Sequence, residues 1–250
     1  MKPIARPLPE KIILGNWKMN MTSTEARRWC EEFKQLPAID NSGLWLGIAP
    51  PLTVLAEFRA LVADSLLMGA QDCSALGPRG AFTGEVSAEL LADAGAEFIL
   101  LGHSERRRGA AAESNGLVAT KLTAVQKAGL LAVLCLGESL KEREAGATES
   151  VITTQLQESL ALSQRELPLA IAYEPVWAIG TGKTAEPQQI SAVHQLIGQQ
   201  MEGREHRILY GGSVTPANAS ALLRLEAVDG LLVGGASLNA ASFREIVGGV

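Results

Sequence analysis

The segment Leu169-Ala170-Ile171-Ala172-Tyr173-Glu174-Pro175-Val176-Trp177 is an apolar run that ends in a carboxylate and a stiff Pro-Val-Trp. The run is too short for a helix and does not alternate with polar residues. That pattern marks a strand buried on both faces, as in a parallel sheet. Beyond it lies a small-residue tip, Ala178-Ile179-Gly180-Thr181-Gly182, then Lys183-Thr184-Ala185. A carboxylate at a strand's end, beside a loop with places to hinge, is suited to hold a base and close over it. A solvated surface turn with a chance glutamate is the plainer alternative for this stretch alone. Gly182-Lys183-Thr184 looks like the end of a nucleotide-binding P-loop, but that motif requires glycine where this chain has Trp177.

Similar apolar runs recur along the chain at Ile12–Leu14, Leu44–Ala49, Leu66–Ala70, Phe98–Leu101, Leu131–Leu136, Ile208–Tyr210 and Leu231–Val233. Between them, Ser23–Lys34, Leu52–Val62, Ser114–Lys127, Glu149–Leu160 and Pro187–Gln200 are rich in helix formers. Thr22 with Glu25, and Thr215-Pro216, supply helix-start chemistry, and Gly95 and Gly129 stand where helices should stop. Eight strands alternating with helices predict one (β/α)8 barrel. A doubly wound sheet would carry a Gly-rich turn after its first strand, and Gly15-Asn16-Trp17-Lys18 is not one. No linker divides the chain, so residues 1–250 are expected to form a single domain with an irregular extension over 1–10.

Composition narrows the class. The chain has 250 residues, 47% hydrophobic and 20% charged, with a net charge of −5. Nothing favours a nucleic-acid surface, and the one basic run, Arg106-Arg107-Arg108, reads as a solvated helix face. Cys30, Cys73 and Cys135 form no CxxC pair, which fits a reducing compartment. The N-terminal residues lack the apolar core of a signal peptide, and no run is long enough for a membrane span. A soluble, cytoplasmic protein is expected.

In such a barrel, function gathers at the C-terminal ends of the strands. Asn16 and Lys18 follow the first strand, His103-Ser104-Glu105 the fourth and Glu174 the sixth. Gly211-Gly212-Ser213 follows the seventh and Gly234-Gly235 the eighth. His103 opens a helix, where the N-terminal dipole disfavours imidazolium, so a neutral ring is expected. His194 and His206 are placed inside or at the end of the sixth helix, with no role. The two glycine pairs suit close backbone approach to a phosphate. No metal-ligand cluster and no nucleophile elbow is visible. A carboxylate base, a neutral histidine, a lysine and a phosphate cradle under one loop point to proton abstraction beside a carbonyl of a small phosphorylated substrate.

The blocks GNWKMN (Gly15–Asn20), GAFTGEVSA (Gly80–Ala88), LGHSERR (Leu101–Arg107), CLGE (Cys135–Glu138), YEPVWAIGTGKTA (Tyr173–Ala185), YGGSV (Tyr210–Val214) and LVGGASL (Leu232–Leu238) occur in an order that resembles the triosephosphate isomerase family. The resemblance spans nearly the whole chain and implies a TIM barrel, an α/β fold of eight parallel strands ringed by helices. It implies interconversion of dihydroxyacetone phosphate and D-glyceraldehyde 3-phosphate through an enediolate, without metal or cofactor. It gives Glu174 the role of base, and His103 that of a neutral donor shuttling protons between the two oxygens. Lys18 stabilises negative charge, Asn16 positions oxygens and Glu105 supports the hydrogen bonds. Gly180, Ser213, Gly234 and Gly235 donate N–H groups to phosphate. Residues 175–185 form a lid (Pro175, Val176, Trp177, Ala178, Ile179, Gly180, Thr181, Gly182, Lys183, Thr184 and Ala185), latched by Tyr210 and Ser213. Ile179 and Leu232 are the apolar pair that presses on the base. The family's homodimer loop corresponds to residues 77–85, with Thr83 reaching the partner's site and Glu85 pairing with the partner subunit's Arg106. Cys135 is read as packing. The alanine-rich stretch RGAAAESNG, Arg108–Gly116, and the extension Met1–Glu10 depart from the family pattern. The rivals weighed are a Schiff-base aldolase, which would need a lysine where the sixth strand ends in Glu174, and an inactive scaffold homologue, which should have lost a catalytic residue.

Overall fold

The computed structural model describes residues 7–37, 43–63, 65–178 and 185–250. Eight parallel strands close into a barrel in sequence order: β1 Lys11–Asn16, β2 Leu44–Ala49, β3 Leu67–Ala70, β4 Phe98–Leu101, β5 Leu131–Leu136, β6 Leu169–Tyr173, β7 His206–Tyr210 and β8 Gly230–Val233. β8 returns to β1, pairing Leu232 with Leu14 and Val233 with Gly15.

Ten α-helices ring the barrel among the described residues: α1 Ser23–Gln35, α2 Leu55–Val62, α3 Ala88–Asp93, α4 Ser104–Arg108, α5 Asn115–Lys127, α6 Leu140–Glu144, α7 Thr148–Leu160, α8 Pro187–Gln200, α9 Pro216–Leu223 and α10 Ala240–Val247. The helix-start signals hold. Thr22 and Glu25 form a reciprocal capping box, and Thr215 and Asn218 form another ahead of Pro216. Gly95 and Gly129 follow α3 and α5 with positive φ, the conformation in which only glycine is unstrained. The segment read as one helix from Leu52 is a short 3-10 turn, Leu52–Val54, feeding α2. His206 is not at a helix end. It opens β7, and Arg204 just before it donates to the Leu167 carbonyl, Ser163 Oγ and the Gln164 carbonyl.

Strand alternation sorts the core into two layers. Ile12 and Leu14, Phe98 and Leu100, Leu131, Val133 and Cys135, Ala170 and Ala172, Leu209 and Leu232 fill the barrel. Ile13, Ile48, Ile99, Leu134, Ile171 and Ile208 face the helices. Both faces are therefore apolar, which is why the strand sequences do not alternate. Phe98 needs room inside: a Cβ on Gly69 would lie 2.2 Å from its ring, and one on Gly47 2.8 Å. Each such side chain contributes about 1.5–3 kcal/mol on burial.

The inward parity carries one residue past each strand's packed layer and lines the C-terminal mouth. Ile12 and Leu14 lead to Asn16, Ala170 and Ala172 lead to Glu174, Leu209 leads to Gly211, and Leu232 leads to Gly234. A period of two thus aims residues of four strands at one opening.

Candidate active site

The mouth is a cavity of about 670 Å³ lined by Asn16, Lys18, His103, Glu174, Gly211–Ser213, Leu232, Gly234 and Gly235. Residues after five different strands meet there.

Glu174 is 2% exposed, so its carboxylate needs partners. Its Oε1 lies 2.9 Å from His103 Nε2, and its Oε2 accepts the Ser104 backbone N–H at 3.2 Å, at the start of α4. Its backbone is fixed by donation to the Leu136 carbonyl at 2.7 Å. Gly137 permits this approach, since a Cβ there would stand 1.8 Å from the Glu174 carbonyl oxygen.

His103 caps α4. Its Nδ1 accepts the Glu105 backbone N–H at 3.2 Å, which leaves the ring proton on Nε2, facing Glu174. Burial disfavours imidazolium, but the Glu174 carboxylate, joined by Glu105, outweighs it and raises the His103 pKa. The helix N-terminus and the occupied Nδ1 lone pair pull the other way. The Nε2–H of His103 is thereby aimed at Glu174 Oε1.

Lys18 Nζ reaches Glu105 Oε1 at 2.5 Å. Its own backbone is strained, with φ of +51° on a residue that has a Cβ. Asn16 Oδ1 accepts the Lys18 N–H at 3.0 Å, and Gln71 Nε2 donates to the Lys18 carbonyl at 2.8 Å.

The glycine pairs serve different ends. A Cβ on Gly211 would meet Glu174 Cγ at 2.9 Å, and one on Gly212 would overlap the Tyr210 ring and hydroxyl. That pair is required by the protein's own packing. A Cβ on Gly235 would meet nothing within 4 Å, and one on Gly234 would touch only Lys18 Cε at 3.8 Å. Close approach of a ligand therefore falls to the second pair. Its turn, Gly235–Leu238, is anchored by Trp17 and Trp29, whose indole N–H groups both donate to the Ser237 carbonyl at 3.0 Å. Gly15 makes space, since a Cβ there would come within 2.9 Å of Ser237 Cβ. The GNWK block is thereby explained.

Of the residues expected to form a lid, Pro175–Ala178 and Ala185 fall within the described residues; Ile179, Gly180, Thr181, Gly182, Lys183 and Thr184 lie outside them. Ser213 Oγ donates to the Ala178 carbonyl at 2.5 Å. The Tyr210 hydroxyl is buried and has no partner within hydrogen-bond distance among the described residues. Burial raises its pKa against the opposing pull of the nearby Ala185 backbone amide.

Three residues without an expected role, Tyr173, Glu138 and Arg143, gather beside Trp177. Glu138, fully buried, accepts from Tyr173 Oη at 3.1 Å, Trp177 Nε1 at 3.0 Å and Arg143 Nη1 at 3.1 Å. The Arg143 guanidinium also lies 4.8 Å from the Trp177 ring centroid. The CLGE block was the available signal, but a glutamate after an apolar strand does not disclose its partners.

The basic run is not a solvated face. Arg107 donates to the Gly102 carbonyl, Asn115 and Ser159, and Arg108 to the Gly137 carbonyl and Glu142. Arg106 is paired within its own chain, at 2.5 Å from Glu113 and 2.8 Å from Asp72, and the charge of its own chain's Glu85 also acts on it. Cys135 is buried between Glu174 and Arg107, and burial pushes its thiol far up, as packing requires. His194, within α8, donates its Nδ1–H to the Ala227 carbonyl at 2.8 Å. Among the described residues no cluster of His, Cys, Asp or Glu suits a metal ion.

Fold and mouth define a (β/α)8 barrel with acid–base groups facing one another at the C-terminal end. The model of the triosephosphate isomerase family matches residues 11–250. The triosephosphate isomerase of Chlorobium phaeobacteroides is 45% identical over 246 residues, covering 95% of this chain and 98% of that protein. That of Bordetella pertussis is 46% identical over 241 residues (94% and 96%), and that of Chlamydia muridarum 42% over 245 (94% and 90%). The chain belongs to the triosephosphate isomerase family.

Proposed function

We propose that this protein interconverts dihydroxyacetone phosphate and D-glyceraldehyde 3-phosphate, the triose step shared by glycolysis and gluconeogenesis. The observation that carries the reading is the facing of Glu174 and His103 across the mouth, beside Lys18 and an open glycine turn. A planar triose bound between them takes the place of their mutual contact. Glu174 then removes a proton from one carbon and returns it to the next. His103 Nε2–H donates to the oxygens, and Lys18 stabilises the charge that develops on them. Asn16 and Glu105 hold Lys18 and the hydrogen-bond frame. Gly234 and Gly235 turn backbone N–H groups to the phosphate, joined by Gly180 and Ser213.

A positioned base contributes about 10²–10⁴-fold, and a preorganised donor about 3–4 kcal/mol. Closing residues 175–185 over the mouth excludes water and protects the enediolate, with Tyr210 and Ser213 as latches. Residues 1–250 act as one catalytic domain.

The working form is a homodimer in the cytoplasm. Loops after β1, β2 and β3 expose Met19, Leu52, Leu76 and Phe82, large apolar side chains that suit a shared surface. The 77–85 loop carries Thr83 toward the partner's mouth. Glu85 reaches the partner subunit's Arg106, in addition to the intrachain contacts of that side chain. A two-fold arrangement is the simplest closed one.

Proton NMR of dihydroxyacetone phosphate with the protein in D2O tests the reaction. Aldehyde product carrying deuterium at carbon two is expected. Absence of both product and exchange would remove the isomerase reading.

A further inference from the structure

We propose that Pro7–Glu10 form a strap that seals the floor of the barrel and holds it against thermal unfolding. These residues precede the part of the chain shared with the family, which begins at residue 11. Irregular terminal segments ordinarily fray unless they are tied down. This one is tied on both its apolar and its polar atoms.

Leu8 is 5% exposed and packs in the inner layer with Ile12, Phe98, Leu131 and Leu209. It therefore covers the N-terminal opening of the barrel, the end opposite Glu174. Burying a residue outside any strand requires partners for its peptide groups. Two neighbours on one side of β7 provide them. Glu205 Oε1 accepts the Leu8 N–H at 2.6 Å. Arg207 Nη2 donates to the Leu8 carbonyl at 3.1 Å, and Arg207 Nε to the Pro9 carbonyl at 2.5 Å.

The need runs in both directions. Arg207 shares the inward parity of Leu209, so a guanidinium sits at the floor of an apolar barrel. Its remaining acceptor among the described residues is the His206 carbonyl at 2.7 Å. Without the strap, that charge would lose the Leu8 and Pro9 carbonyls, two of its three carbonyl partners among the described residues, and the inner layer would open to water. Lys11 continues the seal, its Nζ donating to the Val228 carbonyl at 2.6 Å.

The test is thermal unfolding of the full chain, a variant lacking residues 2–9, Leu8→Asp, Arg207→Gln and the deletion combined with Arg207→Gln. The deletion and Leu8→Asp are each expected to lower Tm by about 5–10 °C, as the loss of a few kcal/mol does in a chain of this size. Arg207→Gln is expected to add little in the deleted background, because both changes remove the same contacts. An unchanged Tm in Leu8→Asp, or fully additive effects, would overturn the strap. Should the deletion not accumulate as folded protein, Leu8→Ala gives the same reading through a smaller fall in Tm, and no fall would count against it. These measurements do not depend on turnover, so they stand apart from the proposed reaction.

Discussion

The Gln71 side-chain amide, at the end of β3, donates to the Lys18 carbonyl at 2.8 Å and to the Ala49 carbonyl at 3.0 Å. It thereby holds a non-glycine residue at φ of +51°, where a Cβ is crowded. Such backbones cost on the order of 1–3 kcal/mol and persist only where neighbours over-determine them. Gln71→Ala should let the Lys18 backbone relax and carry its ammonium off target. The expected result is a fall in kcat/KM of about tenfold or more with a Tm loss of a few degrees, by steady-state kinetics and calorimetry. Unchanged kinetics would separate the strain from the chemistry.

The Tyr173–Glu174 peptide is held on both sides, its N–H donating to the Leu136 carbonyl and its carbonyl accepting from Gly211 N–H, and both carboxylate oxygens have partners, so the reach of Glu174 is set. Glu174→Asp withdraws the carboxylate by about 1 Å and should cost at least about 10²-fold in turnover. Near-wild-type turnover in that variant would remove Glu174 from the role of base.

His103→Gln keeps a donor but changes its reach and its coupling to Glu174. Turnover is expected to fall by about 10²-fold or more, while the unfolding midpoint moves little. A collapse of stability with intact activity per folded molecule would make His103 a packing residue instead.

His194 is almost fully buried in α8, and burial depresses its pKa to about 4 against the pull of the Ala227 carbonyl. The unfolded chain binds the proton near the ordinary value of about 6.5, so between those values the unfolded state carries more protons. Stability should therefore be intact above about pH 6.5 and be lost as pH falls toward 4, by about 2 kcal/mol between pH 7 and 5. Urea unfolding of the protein beside His194→Gln should show that slope in the first and a flatter one in the second.

Lys121 is buried and holds Asp72 at 2.7 Å and Glu113 at 2.6 Å. Burial works to raise Glu113, but Lys121 and Arg106 overcome it and hold its carboxyl below the usual range. Lys121→Met would leave Asp72 and Glu113 to share Arg106 and should destabilise the chain by up to about 3 kcal/mol, measured by denaturant unfolding. Lys121→Arg, which keeps the charge, should recover part of it.

The doubly buried strands were legible because β-strands covered on both faces leave an unbroken apolar run, as in Leu131–Leu136. The mouth was legible because a period of two, continued past Ala172 or Leu14, leads to Glu174 or Asn16. Less was legible where one residue type serves two purposes. Gly211 and Gly234 read alike as glycine pairs. Only the packed chain gives Gly211 to Glu174 and leaves Gly234 beside open space. The arginine run read as a solvated face because a charged tripeptide does not disclose which carbonyls and carboxylates will surround it.

The chain's local code thus determined the strand count, the helix starts at Thr22 and Thr215, and the order of polar residues at the strand ends, since each depends on residues within a few positions. Tertiary structure alone decided that Oε1 of Glu174 meets Nε2 of His103 and that Glu138 gathers Tyr173, Trp177 and Arg143. It also decided that Leu8 closes the floor with Arg207, some 200 residues away. Such contacts are set by barrel closure and strand register, which bring distant segments together and are not written in any one segment.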